Sequence, residues 1–284
     1  MSGPTVVSTT PSGTEICYAL GVEPAAVSHA CDFPPAAREQ PVLTSTRGEG
    51  SAGDRYDVDV ELLREVAPDI VVTQSVCGVC AVDETLVRDY LGTAAESVEI
   101  VSLNAASLGD VYDCIRVVGD AVSRSERAET VVGQLQDCVG QIRNMTRDAR
   151  PKPSVVVLEW LDPLRAAGNW VPDLVRAAGG RYPPRDPGQR SCEIEWAELR
   201  RLDPDILVCS PCSLDPEATL QEATALRDRP DWHDLTAVRT ERVYVLEGKI
   251  LSRWTPRLGG ALERLAAVCH PSVVGGTPDA ETLA

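Results

Sequence analysis

Apolar and polar positions follow one pattern twice along this chain. In DVDVELLREVAPDIVVTQSVCGVC (residues 57–80) and EIEWAELRRLDPDILVCSPC (residues 193–212), apolar residues recur at helical spacing, a proline breaks the run, and a short apolar stretch follows. That order predicts helix, turn and buried parallel strand. At an offset of 136 residues Leu63 matches Leu199, Arg64 matches Arg200, and Pro68, Asp69 and Ile70 match Pro204, Asp205 and Ile206. One supersecondary unit is therefore used twice, and both copies run into cysteines. Ligands of open α/β sheets collect beyond the carboxyl ends of parallel strands, which is where Cys77, Cys80 and Cys212 fall.

The rest of the pattern fits the same class. Residues 5–10 (TVVSTT) predict a first strand, and Ser12 with Glu15 three residues on reads as a capping box opening a helix that runs to Leu20. A short strand is expected over residues 26–30, leading to His29, Cys31 and Asp32, then a loop rich in Pro, Gly and Ser through residue 56. A helix over 83–91 and the strand VEIVSL close a first lobe. From Leu108 to about Arg147 the pattern is helical without proline, and RSERAETVVGQLQDCVGQIRNM is continuously amphipathic. A helix of ~24 residues spans ~36 Å, enough for a stiff connector.

Pro151 and Pro153 end that run. A second lobe then opens with the strand SVVVLEW, the loop DPLRAAGNWVP and a helix stopped by Gly179 and Gly180. After the second repeated unit come a helix over 216–226, the strand RVYVLEG and the helix PRLGGALERLAAVCH, with the residues after Pro271 expected to fray. The fold class is thus α/β: two lobes with mainly parallel sheets, residues 1–106 and 151–284, joined by a long helical connector over 107–150.

Composition narrows the function. A formal charge of −16 over 284 residues, with Lys152 and Lys249 the only lysines, leaves no concentrated basic face for nucleic acid. No apolar run approaches the ~20 residues that span a bilayer. The start, Met1 through TVVSTT, shows no basic segment followed by an apolar one. Ten cysteines in a chain of this size fit a reducing compartment better than a small disulfide scaffold, so a cytoplasmic location is expected.

Cys77-Gly-Val-Cys80 is a CxxC directly after a predicted strand, a spacing that lets two thiolates reach one metal or cluster. Two buried small residues, or a redox pair, are the other readings. Cys209 lies inside its predicted strand, whereas Cys212 lies beyond it, and Cys31 also follows a strand. Cys31, Cys77, Cys80 and Cys212 are four thiols from strand ends, a number suited to zinc or an iron-sulfur cluster. Cys17, Cys114, Cys138 and Cys269 read as core filling on helices, and His233 and His270 as surface or capping residues. Glu159, Trp160 and Trp170 follow the first strand of the second lobe, where they are expected to border a ligand and stay partly exposed without one. No GxSxG, P-loop, GxGxxG or HExxH is present, and no nucleophile, base and orienter stand together. Binding is thus favoured over catalysis.

The runs VVSTTPSGTEICYALG, SHACDFPP, APDIVVTQSVCGVCAV, VVVLEWLDP with AGNWVPDLV, PDILVCSPCSLD, DWHDLTAVRTERVYVLEG and SRWTPRLGGALE resemble the class III substrate-binding proteins of ABC importers, in their cobalamin-binding branch. The resemblance covers nearly the whole chain. It implies a ligand held between two α/β lobes, cobalamin or another corrinoid or metal chelate, with His29, Asp32, Glu159, Trp160 and Trp170 as candidate contacts. It also implies an importer permease as partner wherever the protein is exported. Cys31, Cys77, Cys80 and Cys212 match the cysteine pattern of a subgroup without a signal. An intracellular cysteine-liganded metal or iron-sulfur protein with an enzymatic or sensing role on the same fold is the competing expectation.

Overall fold

The computed structural model describes residues 3–46, 56–75, 84–212, 214–275 and 281–283. The chain packs as two units, Met1–Ala105 with Asp110–Gln134, and Ala106–Gly109 with Leu135–Ala284.

In the first unit, β1 (Val6–Ser8) leads to α1 (Pro11–Ala19), β2 (Ala26–Val27), β3 (Thr44–Thr46), β4 (Tyr56–Val58), α2 (Val60–Val66), β5 (Ile70–Gln74), α3 (Glu84–Leu91) and β6 (Glu99–Leu103). Helices α4 (Leu108–Ala121) and α5 (Ser125–Thr146) follow, each with residues in both units. Among the described residues the main sheet runs β2-β1-β5-β6 and is parallel throughout. Every residue of β1 and β5 is buried, as expected of parallel strands covered on both faces. Val7, Leu43, Leu63, Val71 and Val87 form part of one core there. Two sequence expectations change. Helix α1 is capped at Thr10, with Pro11 in its first turn, and Ser12 and Glu15 lie buried inside it; the fixed φ of proline and its missing N–H suit the first helical position, so the helix starts ahead of the capping-box residues. The helical stretch after Leu108 is also broken, at Ser123, whose φ of 55° is left-handed.

In the second unit, β7 (Val155–Leu161), β8 (Leu164–Ala166), α6 (Val171–Ala177), β9 (Cys192–Glu193), α7 (Trp196–Leu202), β10 (Ile206–Cys209), α8 (Pro216–Thr224), α9 (Thr236–Arg239), β11 (Val243–Val245), α10 (Gly248–Leu251), α11 (Leu258–Cys269), α12 (Pro271–Val274) and β12 (Glu281–Thr282) follow in order. The sheet order is β12-β11-β10-β7-β8-β9, with β11, β10 and β7 parallel and the flanking strands antiparallel. Residues 164–166, expected as loop, form a strand because Leu164 and Ala166 both turn inward while Arg165 does not, a period of two. The chain after Pro271 does not fray over its described part. It forms α12, and β12 then covers the edge of β11 with Leu283 buried in the core.

Both copies of the repeat form the same structure. Helix α2 spans Val60–Val66 and α7 spans Trp196–Leu202, and each ends on a left-handed residue, Ala67 (φ 45°) and Asp203 (φ 36°). Leu63 and Leu199 occupy the same buried turn, and Ile70 and Ile206 begin strands of different sheets.

Candidate functional site

In the first unit the strand order reverses direction between β1 and β5, since β2 lies on one side of β1 and β5 on the other. Such a reversal opens a crevice at the carboxyl ends of the two strands. Buried hydroxyls line them: Thr9 Oγ1 donates to Thr73 Oγ1 at 3.0 Å, and Thr10 Oγ1 donates to Gln74 Oε1 at 3.5 Å. Cys77 and Cys80 come after β5 in the sequence and lie outside the described residues.

Beyond β2 the chain turns tightly, with the Ala30 N–H bonded to Ser28 Oγ and the Cys31 N–H to the Ser28 carbonyl. This turn presents His29 at the surface while Cys31 is buried. The His29 ring nitrogen Nδ1 lies 2.8 Å from Thr44 Oγ1, the His29 backbone N–H donates to that same oxygen at 3.2 Å, and the ring packs 5.7 Å from the Tyr56 ring. Partial burial holds the imidazole pKa below its ordinary value. Cys31 Sγ sits 3.0 Å from Thr14 Oγ1. Burial first, and then the Cys31 charge, push the neighbouring Cys17 thiol up to about 12. Asp32 is half-buried, and its carbonyl accepts from Arg38 Nε at 3.1 Å. His29, Cys31 and Asp32 thus share one strand-end turn. Nearby, an open cavity of about 510 Å³ is lined by Thr44, Asp57, Asp59 and Glu61 among others.

In the second unit the chain stays paired with β7 past the end of β10. The Ser210 N–H reaches the Leu158 carbonyl at 2.8 Å and the Cys212 N–H reaches the Glu159 carbonyl at 3.0 Å, so Glu159 and Cys212 are backbone neighbours. The β7–β8 register slips between Leu158 and Trp160, a bulge that re-aims the side chains it carries. Glu159 Oε2 accepts from Ser191 Oγ at 2.7 Å, Ser191 Oγ accepts from the Gly168 N–H at 2.9 Å, and Arg165 Nε lies 3.7 Å from Glu159 Oε1. Gly168 is required in this network, because a Cβ there would run into the backbone of Gln189 and Ser191. Trp160 is 39% exposed, with Nε1 donating to the Asp162 carbonyl at 2.9 Å.

Trp170 departs from expectation. It is only 4% exposed, its Nε1 donates to the Leu251 carbonyl at 2.9 Å, and its ring meets Trp254 edge-on at 5.6 Å. A large ring entering α6 gains more from burial than from solvent, so in this state Trp170 packs in the interior instead of standing partly exposed. Cys209 is fully buried, as its strand position implied, and Cys17, Cys114 and Cys269 fill cores. His270 is buried too, with Nε2 3.3 Å from the Gly179 carbonyl, so it is a helix-end residue of the interior and not of the surface.

Sequence reasoning missed Thr44, Tyr56, Ser191 and Trp254. Thr44 and Tyr56 reach His29 from other strands, and no local spacing marks them. Gly168, between two alanines and Asn169, was the one available sign of a close backbone approach. Among the described residues no group of three or more His, Cys, Asp or Glu side chains gathers as a metal site, and no helix is long and apolar enough to cross a membrane.

Known proteins match this architecture. The family model described as periplasmic binding protein matches residues 6–249. The ABC transporter substrate-binding lipoprotein YvrC of Bacillus subtilis strain 168 is 22% identical over 278 residues, covering 94% of this chain and 80% of the relative. A periplasmic heme binding protein from Pseudomonas aeruginosa superposes with a TM-score of 0.77 at 21% identity, covering 99% of this chain and 98% of its own. The periplasmic vitamin B12 binding protein BtuF of Vibrio cholerae superposes with a TM-score of 0.72 at 18% identity, covering 95% and 97%. At these identities the structural likeness shows the class III substrate-binding fold.

Proposed function

This chain belongs to the periplasmic binding protein family, and from that footing we propose that it binds a tetrapyrrole metal chelate, a corrinoid first among them, and acts by binding and not by catalysis. The observation that carries the reading is the pair of strand-end sites. In the first unit, His29, Cys31 and Asp32 share a turn beyond β2. In the second, Glu159, Trp160 and Cys212 stand at the ends of β7 and β10 with Glu159 held by Ser191. Both sets occupy the carboxyl ends of parallel strands, where α/β sheets take ligands. An exposed indole beside a carboxylate offers a planar ring a stacking face and its amide or amine edges an acceptor. The proteins of like fold named as binding vitamin B12 and heme support the ligand class. A permease partner fits the family, and delivery to one is a separable part of the proposal.

Equilibrium dialysis of the whole protein against cobalamin, cobinamide, haemin and a ferric siderophore tests the assignment. Saturable retention of a corrinoid, weakened at least about tenfold in Trp160→Ala, is the expected outcome. Retention of the siderophore alone would overturn it.

A further inference from the structure

The setting of His29 assigns it a role more specific than lining a site. Its ring is clamped by two strands remote in sequence: Thr44 on β3 bonds Nδ1 at 2.8 Å, and Tyr56 on β4 packs against the ring at 5.7 Å with planes tilted by 35°. Strands β3 and β4 are themselves paired, Thr44 to Val58 and Thr46 to Tyr56, so both clamps belong to one two-stranded sheet. Thr44 is buried, while His29 is exposed. An exposed histidine on a turn is ordinarily free to rotate; this one is fixed.

A threonine oxygen carries two lone pairs and one proton. The His29 backbone N–H already donates to Thr44 Oγ1 at 3.2 Å. Thr44 Oγ1 can then accept from Nδ1–H with its second lone pair or donate its own proton to a bare Nδ1; a metal at Nε2 selects the first arrangement, in which Nε2 carries a bare lone pair on an exposed, oriented ring. That is how proteins prepare a metal-ligating imidazole, by fixing the tautomer through the other nitrogen. A bare ion needs three or four protein donors. A metal that arrives inside a planar chelate has its equatorial positions filled, and one oriented imidazole completes an axial position.

We infer that His29 Nε2 is an axial ligand to the metal of the bound chelate, with Thr44 as the residue that positions it. The inference rests on the ligand class proposed above.

The test uses the whole protein with two probes whose axial positions are open to exchange, diaquocobinamide and haemin. Absorption spectra and binding titrations are recorded for the wild type, His29→Ala, His29→Gln and Thr44→Val, with circular dichroism confirming that each is folded. The wild type should show the bands of an imidazole-ligated metal with at least one probe. His29→Ala and His29→Gln should show water-type bands with affinity lowered at least about tenfold, and free imidazole should restore the bands to His29→Ala. Thr44→Val should keep imidazole-type bands with affinity lowered about tenfold, the usual size of a lost positioning contact. Wild-type bands and affinity in His29→Ala would overturn the inference. A wild type that shows water-type bands with every probe it binds would overturn it while sparing the ligand class. Failure of the wild type to bind either probe would remove both.

Discussion

Asp69 and Asp205, 136 residues apart, do the same work in the two units. Asp69 Oδ2 accepts from the Thr5 N–H at 2.7 Å, and Asp205 Oδ2 accepts from the Ser154 N–H at 2.7 Å. Each carboxylate precedes the isoleucine that begins its own strand and ties that strand to the start of its neighbour, Ile70 to Thr5 and Ile206 to Ser154 through the backbone. The repeat is therefore a repeat of contacts as well as of sequence. Asp69→Ala and Asp205→Ala should each lower stability by about 1 kcal/mol, the scale of one partly exposed charged hydrogen bond. Urea unfolding would check this, and no change in midpoint for either variant would contradict it.

Asp205 also sets a pH dependence. Burial pushes its pKa up, but the Ser154 N–H and hydroxyl, the latter at 2.8 Å, outweigh that and hold it below the ordinary carboxylate value. A group depressed in the folded state adds stability that is full above the ordinary Asp pKa of about 4 and is lost as pH falls through the folded value. Urea midpoints measured down that range should fall more steeply in the wild type than in Asp205→Asn. Parallel curves would contradict the assignment.

Gly248, at the start of α10, has no room for a side chain, because a Cβ would strike the carbonyl of Pro211 beyond β10. Gly248→Ala should cost about 3 kcal/mol, since backbone must move to admit it. Thermal unfolding of the purified variant is the check, and an unchanged Tm would show that the loop after β10 yields freely.

The thiols should separate by burial. Burial pushes Cys17, Cys209 and Cys269 each up to about 12, Cys17 with help from Cys31. At pH 8 only about one in ten thousand of such groups is thiolate. Cys192 is half-buried; so is Cys138, which burial and Glu263 also raise. Timed iodoacetamide labelling read by peptide mass spectrometry should modify Cys192 before Cys138, and the three buried thiols only on unfolding. Prompt labelling of Cys209 would contradict the packing of β10.

What the sequence showed of the fold was whatever repeats or alternates. Both repeated helices, the strands from Ile70 and Ile206 and the helix Ser125–Thr146 stand where the pattern predicts them. Short antiparallel pieces such as Leu164–Ala166 and Glu281–Thr282 were not legible, because three or fewer residues carry too little periodicity and their pairing is decided by a remote edge. The same limit applied to the site. His29, Glu159 and Trp160 could be picked out as strand-end residues, but Thr44, Tyr56 and Ser191, which fix two of them, come from loops and strands 15 to 32 residues away. The burial of Trp170 was not legible, because a strand-to-helix loop says nothing of the core beneath it, where Trp254 and Leu251 receive its ring.

The central claim is that this chain binds a tetrapyrrole metal chelate. Isothermal titration of the whole protein with diaquocobinamide, followed by haemin, measures it most directly. The account predicts saturable one-to-one binding of at least one of the two in the micromolar range or tighter, with affinity lost in a variant combining His29→Ala and Trp160→Ala. Heats indistinguishable from dilution for both compounds, with a correctly folded protein in the cell, would contradict it.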